Sequence, residues 1–531
     1  MNREYKEKLS RQIEKNYSDL EMRIMEDIVR RIKKTGEITS TADWQINRLR
    51  ILGNSSEDIE KMLKEALDAS YPQMFELYDK VIDWEYVRNK DAYEQINAEY
   101  IPYEENGQLQ QITNALIQQT DAELQNITQS LGFYLDYGNS RRVLTPLAEV
   151  YQKYLDAACL DIVSGAFDYN SVLRRVVTQL TNSGLRQIDY VSGHANRVEV
   201  AARRAVMTGI TQLTGHISDM NAEKLGTEYY EVAWHAGARP THQVWQGRVW
   251  SKEQLVTVCG LGTVTGLEGV NCYHERYPFI PGISERNWTD EWLEKKDREE
   301  NTPKEYRGKE YTVYEAKQRQ RQMETAMRAQ REKVQLLRSG GADKEEITVA
   351  RAKYQGQLNE YAKFSKKMGL AEERERIYID GRGRIALSND RQKEIEARLA
   401  GMYNKSSLEE NIRLYEKDVA IRKDIRSGKI STIVEKGKQG KHIIGHNNYI
   451  PGRSYLTISE DEVQQLVNKY AGTGWMRRDG KDRWTHKEVV TADQDIGVVV
   501  NPVTGEGIRT KKFIIHYSKN GVHIVPGRED M

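Results

Sequence analysis

Cysteine is scarce in this chain: Cys159, Cys259 and Cys272 are the only three among 531 residues. That number is too small and too odd for a disulfide framework. Long apolar runs are missing as well, since no stretch reaches the roughly 18 residues that a membrane-spanning helix needs. Charge of one sign is absent too: 80 Lys and Arg stand against 79 Asp and Glu, for a net +1. The chain as a whole is therefore no polyelectrolyte partner for nucleic acid. Met1-Asn2-Arg3-Glu4-Tyr5 opens straight into a charged helical pattern without the apolar region of a signal peptide, so a start in a cytoplasm is expected.

What is present is length, charge and helical periodicity. For 531 residues one ordinary core does not suffice, and about two to four domains are expected. Leu9, Ile13, Tyr17, Leu20, Ile24, Ile28 and Ile32 recur every three or four positions on one helical stripe. Gly36 follows a basic turn as a stop. Ser55-Ser56-Glu57-Asp58 offers an N-cap for the next helix, and Gln108 to Leu131 reads as helix again. A basic amphipathic helix is predicted from Arg197 to Ala205. From Trp234 to Gly282 the abundance of Gly, Pro, Asn and aromatics predicts irregular, tightly turned structure.

Further along, Met323, Met327, Val334 and Leu337 form one stripe, and Ile347, Tyr354, Leu358 and Tyr361 another. Joined at Gly340-Gly341, they predict an antiparallel helical hairpin. Asp343 with Glu346 forms a capping-box-like restart. The charged stretch from Gly369 to Arg426 reads as a helical or partly mobile connector. After Ile430, short β-branched runs bounded by Gly, Pro or Asn, with one helix from Glu460 to Tyr470, predict a small α+β domain. The fold class is thus multidomain: mostly α-helical in the N-terminal and central regions, small α+β at the C-terminus. Segments are placed at 1–171, 172–292, 293–425 and 426–531.

Chemistry concentrates in the last segment. It carries 17 Lys and Arg against 12 Asp and Glu, and half of the ten histidines: His442, His446, His486, His516 and His523. Lys438-Gln439-Gly440-Lys441-His442-Ile443-Ile444-Gly445-His446 sets two histidines among cations and glycines, with Pro451-Gly452-Arg453-Ser454 close behind. Arg509-Thr510-Lys511-Lys512 and His516-Tyr517-Ser518-Lys519 lie near the end. Metal-independent RNA cleavage needs a base for the ribose 2′-proton, an acid for the leaving 5′-oxygen, and cations over the phosphorane. These residue types supply all three, and Trp475, Trp484 and Tyr517 are candidates for base stacking. A His pair four apart also suits a metal, but only on a helix with a third ligand, and Gly445 and Pro451 oppose a helix. From residues alone, catalysis, binding without turnover and inert surface stay open.

The run Lys438 to Tyr449, with Gly452-Arg453-Ser454 after it, resembles the opening signature of the type 50 polymorphic toxin domain, and the likeness covers about Ile430 to Pro526. That resemblance implies a barnase/EndoU/RelE-like fold and an RNase. It makes His442 and His516 the acid–base candidates, with Lys441, Arg453 and Lys511 as phosphate ligands and Thr510 and Ser454 as hydroxyl donors. His446, Lys512 and Tyr517 complete the candidate substrate contacts. No cofactor is expected, but an immunity protein is a possible partner.

In the middle of the chain His242, Cys259, Cys272 and His274 can be read as a tetrahedral zinc set, or as buried polar residues of a loop-rich core. Their spacing fits no strict zinc signature. Cys159, between Ala158 and Leu160, reads as core. The motifs Trp234 to His242, Trp245-Gln246-Gly247, Asn271-Cys272-Tyr273-His274 and Tyr277 to Gly282 resemble phage minor capsid protein 2, within the broader Mu F-like head-morphogenesis proteins. This likeness runs from the N-terminus to about Gly369. It implies a virion component made beside the portal protein, with portal and capsid proteins as partners and no membrane. The expected whole is a phage or prophage capsid protein, assembled in a host bacterial cytoplasm, that carries an RNase toxin-like module. A purely structural protein whose last domain binds nucleic acid or a capsid neighbour is the alternative, and a secreted toxin with an export platform is a further one.

Overall fold

The N-terminal apolar stripe becomes the buried face of α1 (Arg3–Gly36), where Ile13, Tyr17, Leu20, Ile24, Ile28 and Ile32 are all sealed from solvent. The computed structural model describes residues 3–37, 55–90, 93, 99–137, 141–164, 166–188, 195–501 and 504–528; Met1 and Asn2 of the opening run lie outside it. The chain forms two compact units, Met1–Leu387 and Ser388–Met531.

In the first unit, α1 packs with α2 (Ser55–Glu85), α4 (Tyr169–Ser183) and α5 (Val198–Lys224), and α3 (Gly107–Gln129) packs on α2 and α5. The predicted basic helix is the start of α5, but α5 is longer and lies within the core. Ala202, Val206, Ile210 and Leu213 are fully buried. Its first arginine, Arg197, is buried against Glu21 of α1 and Glu332. A small antiparallel sheet joins β1 (Leu131–Asp136), β2 (Arg142–Pro146), β3 (Arg186–Ile188) and β4 (Ala195–Arg197) in the order β2-β1-β3-β4.

The loop-rich segment forms as expected. It holds only a three-stranded sheet of β5 (Tyr229–Val232), β6 (Val249–Ser251) and β7 (Arg276–Phe279), plus short helices such as α6 (Pro240–Gln243). The helical hairpin is α7 (Val313–Ser339) and α8 (Lys344–Met368), with Met327, Val334, Leu337, Tyr354 and Tyr361 buried. The expected capping box before α8 does not form. Asp343 instead accepts from Asn170, and Glu346 pairs with Arg174, so tertiary partners on α4 outcompete the local cap.

The second unit begins ahead of the β-rich part. Helices α9 (Asn389–Tyr403) and α10 (Leu408–Arg426) pair with each other. Ile425 of α10 enters the core of the β-rich part, and Ile421 packs on it. Asp418 pairs with Arg478, while Arg422 and Arg426 donate to the carbonyls of Gly474 and Gly472. The stretch read as a connector therefore includes a docked element.

The rest of the unit matches the small α+β domain. Its main antiparallel sheet runs β9 (Trp475–Arg478), β10 (Trp484–Thr491), β13 (Lys512–Ser518), β14 (Gly521–Pro526). A second sheet is β8 (Tyr455–Leu456), β11 (Gly497–Val500) and β12 (Gly507–Thr510). Helix α11 (Glu460–Tyr470) falls on the predicted residues, held by a Ser459–Glu462 capping box. Its Val463 and Val467 cover one face of the main sheet with Met476, Val490, Phe513 and Ile515. Ile443-Ile444 is not a strand; Ile443 makes a single bridge to Leu456.

Candidate functional site

Sheet register assembles the site in the second unit. Directly opposed residues in an antiparallel pair share a face, and the pairs Arg477↔Lys487, Lys487↔His516 and His516↔His523 fall in line across all four strands. Alternation sends Met476, Glu488, Ile515 and Ile524 to the core side. The opposite face therefore carries a row of Arg, Lys, His and His. Trp475 stands on the same face two residues before Arg477.

A loop brings in a third histidine. The Gln439 amide donates to the Ile524 carbonyl and accepts from the Ile524 N–H at 2.8 Å, so it works as a strand-edge clasp on β14. The short turn that follows presents His442, whose ring stacks at 6.3 Å from His523; His523 in turn lies 4.6 Å from His516. The His442 Nδ1–H donates to the Ser454 carbonyl at 2.8 Å. A carbonyl only accepts, so Nε2 carries the free lone pair. This fixes His442 as the tautomer a general base requires.

Cations surround this triple. Among the described residues Lys441, Arg453, Arg477 and Lys487 have no carboxylate partner, while Lys438 is paired with Glu435. Their effect is visible in proton affinity. Burial, then His523, Lys487, His442 and Arg477, push His516 down to about 4. Burial, then His442 and Lys438, push His523 down to about 4 against the pull of Glu435. Burial lowers His442 as well; its bond to Ser454 opposes that, and Arg453 and Lys441 add to it. A bound phosphate brings negative charge into this cluster and favours protonation of the same rings.

The other sequence candidates take different places. His446 lies over Gly440, where an added Cβ would come 2.2 Å from its Nδ1, and that nitrogen accepts from the Asn448 N–H. The Ser454 hydroxyl accepts from the Val500 N–H at 3.1 Å. Thr510 is buried, its hydroxyl donating to the Gly527 carbonyl and accepting from the Lys512 N–H, so it closes a corner between strands. Lys511 is exposed. Lys512 shares the histidine face of β13 but lies about 13 Å along the strand from His516. Tyr517 points to the core, where it donates to Glu488. Burial and that carboxylate hold its phenol far above its usual range. Trp484 packs against Tyr517 and the core and donates to the Lys487 carbonyl.

His523 is one of the five C-terminal histidines counted in the sequence but has no role assigned there, and Lys487 and Arg477 are not singled out in it. A signal for His523 was available, because Ser518-Lys519-Asn520-Gly521 is a two-residue hairpin whose register sets His516 opposite His523.

The neutral histidines make the unit acid-sensitive. In the unfolded chain His516 and His523 titrate near 6.5, above their folded values of about 4. The unfolded state thus binds more protons between those values, and stability is full above pH 6.5 and lost as pH falls toward 4. After allowance for solvent at these half-exposed rings, each contributes on the order of 1 kcal/mol. The urea midpoint of residues 388–531 is expected to fall between pH 7 and pH 5.5, where carboxylates hardly titrate, and His523→Gln to flatten that slope. A midpoint that is constant over this window would contradict it.

In the first unit His242, Cys272 and His274 converge. Nδ1 of His242 lies 3.4 Å from Nδ1 of His274, and Cys272 Sγ lies 3.8 and 3.5 Å from them. Cys259 is buried in the adjoining apolar cluster with Trp245 and Leu255, outside the converging group among the described residues. Cys159 is core, its thiol accepting from Thr35.

Two functional bodies emerge: a helical scaffold bearing a loop-rich, Cys/His-centred insert, and a small domain with a cationic histidine face. Residues 1–363 match the family model described as phage minor capsid protein 2, and the chain belongs to that family. Residues 434–526 match the model described as bacterial toxin 50, which makes the second unit a toxin-domain relative. No curated protein matches the chain. Family membership places the protein among virion components, with virion proteins as its partners. Among the described residues no helix is long and apolar enough to cross a membrane.

Proposed function

We propose that this chain is a portal-associated head-morphogenesis protein of a phage or prophage whose C-terminal unit cleaves RNA without a metal. In this reading residues 1–387 serve assembly, as an N-terminal region, a loop-rich core and a hairpin, and residues 388–531 carry the chemistry, with α10 docked on the β-rich part. The protein is made in the host cytoplasm, is packed with the portal and capsid, and acts on RNA after delivery; an immunity protein protects the producer.

The observation that carries this is the His442–His523–His516 stack inside a ring of unpaired cations. His442 Nε2 takes the ribose 2′-proton, and the 2′-oxygen forms a bond to phosphorus. The bond to the 5′-oxygen breaks, and that oxygen takes a proton from the His516–His523 pair, charged once phosphate is bound. Lys441 and Arg453, beside His442, stabilise the phosphorane, and Lys487 and Arg477, beside His516, hold phosphate charge of the bound RNA. The products are a 2′,3′-cyclic phosphate and a 5′-hydroxyl.

The test is incubation of the full chain, and of residues 388–531, with total RNA and tRNA in EDTA. Cleavage to cyclic-phosphate ends, absent in His442→Ala, is expected. RNA that is bound but intact would favour a binding module, and activity that needs a divalent ion would overturn the metal-free mechanism.

A further inference from the structure

His242 and His274 of the first unit face each other in a way that hydrogen bonding alone does not satisfy. Gln246 Oε1 accepts from the His235 N–H at 3.1 Å, which fixes which end of the amide is oxygen. The same oxygen is 3.0 Å from His274 Nε2, so that nitrogen must be the donor. His242 Nε2 lies 2.8 Å from the Thr265 carbonyl and must also be a donor. Both Nδ1 atoms are then bare lone pairs, and they point at each other across 3.4 Å. Among the described residues the Cys272 thiol proton is placed to serve these atoms, and it can serve one of them.

A cation resolves this arrangement. Bonds of about 2.05 Å from zinc to nitrogen and about 2.3 Å to sulfur, opened at the tetrahedral angle, put N···N near about 3.4 Å and N···S near about 3.6 Å. The observed separations are 3.4, 3.5 and 3.8 Å. The three residues are 2%, 5% and 1% exposed for His242, Cys272 and His274, so water does not screen them. Each histidine's far nitrogen donates to a fixed oxygen, the outer support that metal-bound imidazoles use.

We propose that His242 Nδ1, His274 Nδ1 and Cys272 Sγ bind one divalent transition ion, zinc by the mixed nitrogen and thiolate donor set, with a fourth position outside this trio. The ion ties helix α6, which carries His242, to the loop before β7, which carries Cys272 and His274. That segment has few hydrogen-bonded elements and only a small apolar cluster of its own, so a metal crosslink is what holds its turns in register. Gln246 acts as a positioning residue through His274.

The full chain, purified after growth with zinc, is expected to hold one zinc per chain. Chelation should lower its thermal midpoint and open residues 234–282 to protease. Cobalt in place of zinc should give the thiolate charge-transfer band and the visible spectrum of a tetrahedral site. Cys272→Ser should abolish the band, whereas Cys259→Ser should keep it. Gln246→Ala, which leaves all three ligands in place, should weaken zinc binding roughly 10- to 100-fold and tests the assignment even if Cys272→Ser fails to fold. A folded chain that takes up no zinc or cobalt would overturn the proposal. So would a band that survives in Cys272→Ser and vanishes in Cys259→Ser.

Discussion

His523→Ala is expected to reduce RNA cleavage by roughly 10²- to 10⁴-fold, the range for a lost proton-transfer group, while leaving the C-terminal unit folded. The ring sits on the sheet face away from the apolar core, between His442 and His516, so its removal breaks the stack without opening the core of Met476, Phe513 and Ile515. His442→Ala should be as damaging, since its Nε2 is the only one of the three held free by a carbonyl on the other nitrogen. Lys487→Ala and Arg477→Ala should behave differently. They should weaken RNA binding and lower the salt dependence by about one phosphate contact each, with a smaller loss of turnover.

The pH dependence separates the roles further. Burial and neighbouring cations lower His442 below its ordinary value and hold His516 and His523 near about 4 in the free protein. A free base is therefore plentiful at pH 6 while the charged acid is scarce, so kcat/KM should peak below about pH 6.5. Rates that climb steadily from pH 6 to pH 8, or a fully active His523→Ala, would show that the histidine stack is not the proton-transfer apparatus.

Arg197→Met should destabilise the first unit by about 3–5 kcal/mol, the cost of leaving buried carboxylates unpaired. The Arg197 guanidinium donates to Glu21 at 2.7 Å and to both oxygens of Glu332 at 2.8 Å, and Glu199 lies 3.7 Å away. Arg197 is 5% exposed, and burial with the neighbouring Glu332 and Glu199 already pushes Glu21 up despite Arg197. The fit is close: at Gly184, whose φ is +66°, a Cβ would come 2.2 Å from the arginine Nε. Arg197 thereby links α1, the end of α4, the start of α5 and α7. Adding Glu21→Gln and Glu332→Gln to Arg197→Met should recover part of the loss. The check is the denaturant midpoint of the full chain's first transition; a shift below about 1 kcal/mol would mean water reaches the network.

Much of the fold was legible in residue order because it rests on local periodicity. The stripe from Ile13 to Ile32 made α1, the Gly340-Gly341 break made the α7–α8 hairpin, and Ser459 with Glu462 started α11. Strands β9 and β10 were missed, since Arg477, Arg478, His486 and Lys487 dilute their apolar pattern on the solvent side. The docking of α10 was missed because its charges Asp418, Arg422 and Arg426 read as solvent-facing, yet they find partners on the β-rich part.

By itself, then, the order of residues determined which stretches are helical, where turns fall, and that histidine and basic residues gather near the C-terminus. Only tertiary structure decided which of those histidines meet. His442, His516 and His523 come together through a hairpin register and a Gln439 clasp, and Tyr517 is turned inward by the same alternation that turns His516 out. Periodicity acts over a few residues, whereas proton affinity, tautomer and charge pairing depend on groups brought from distant positions into one poorly solvated place.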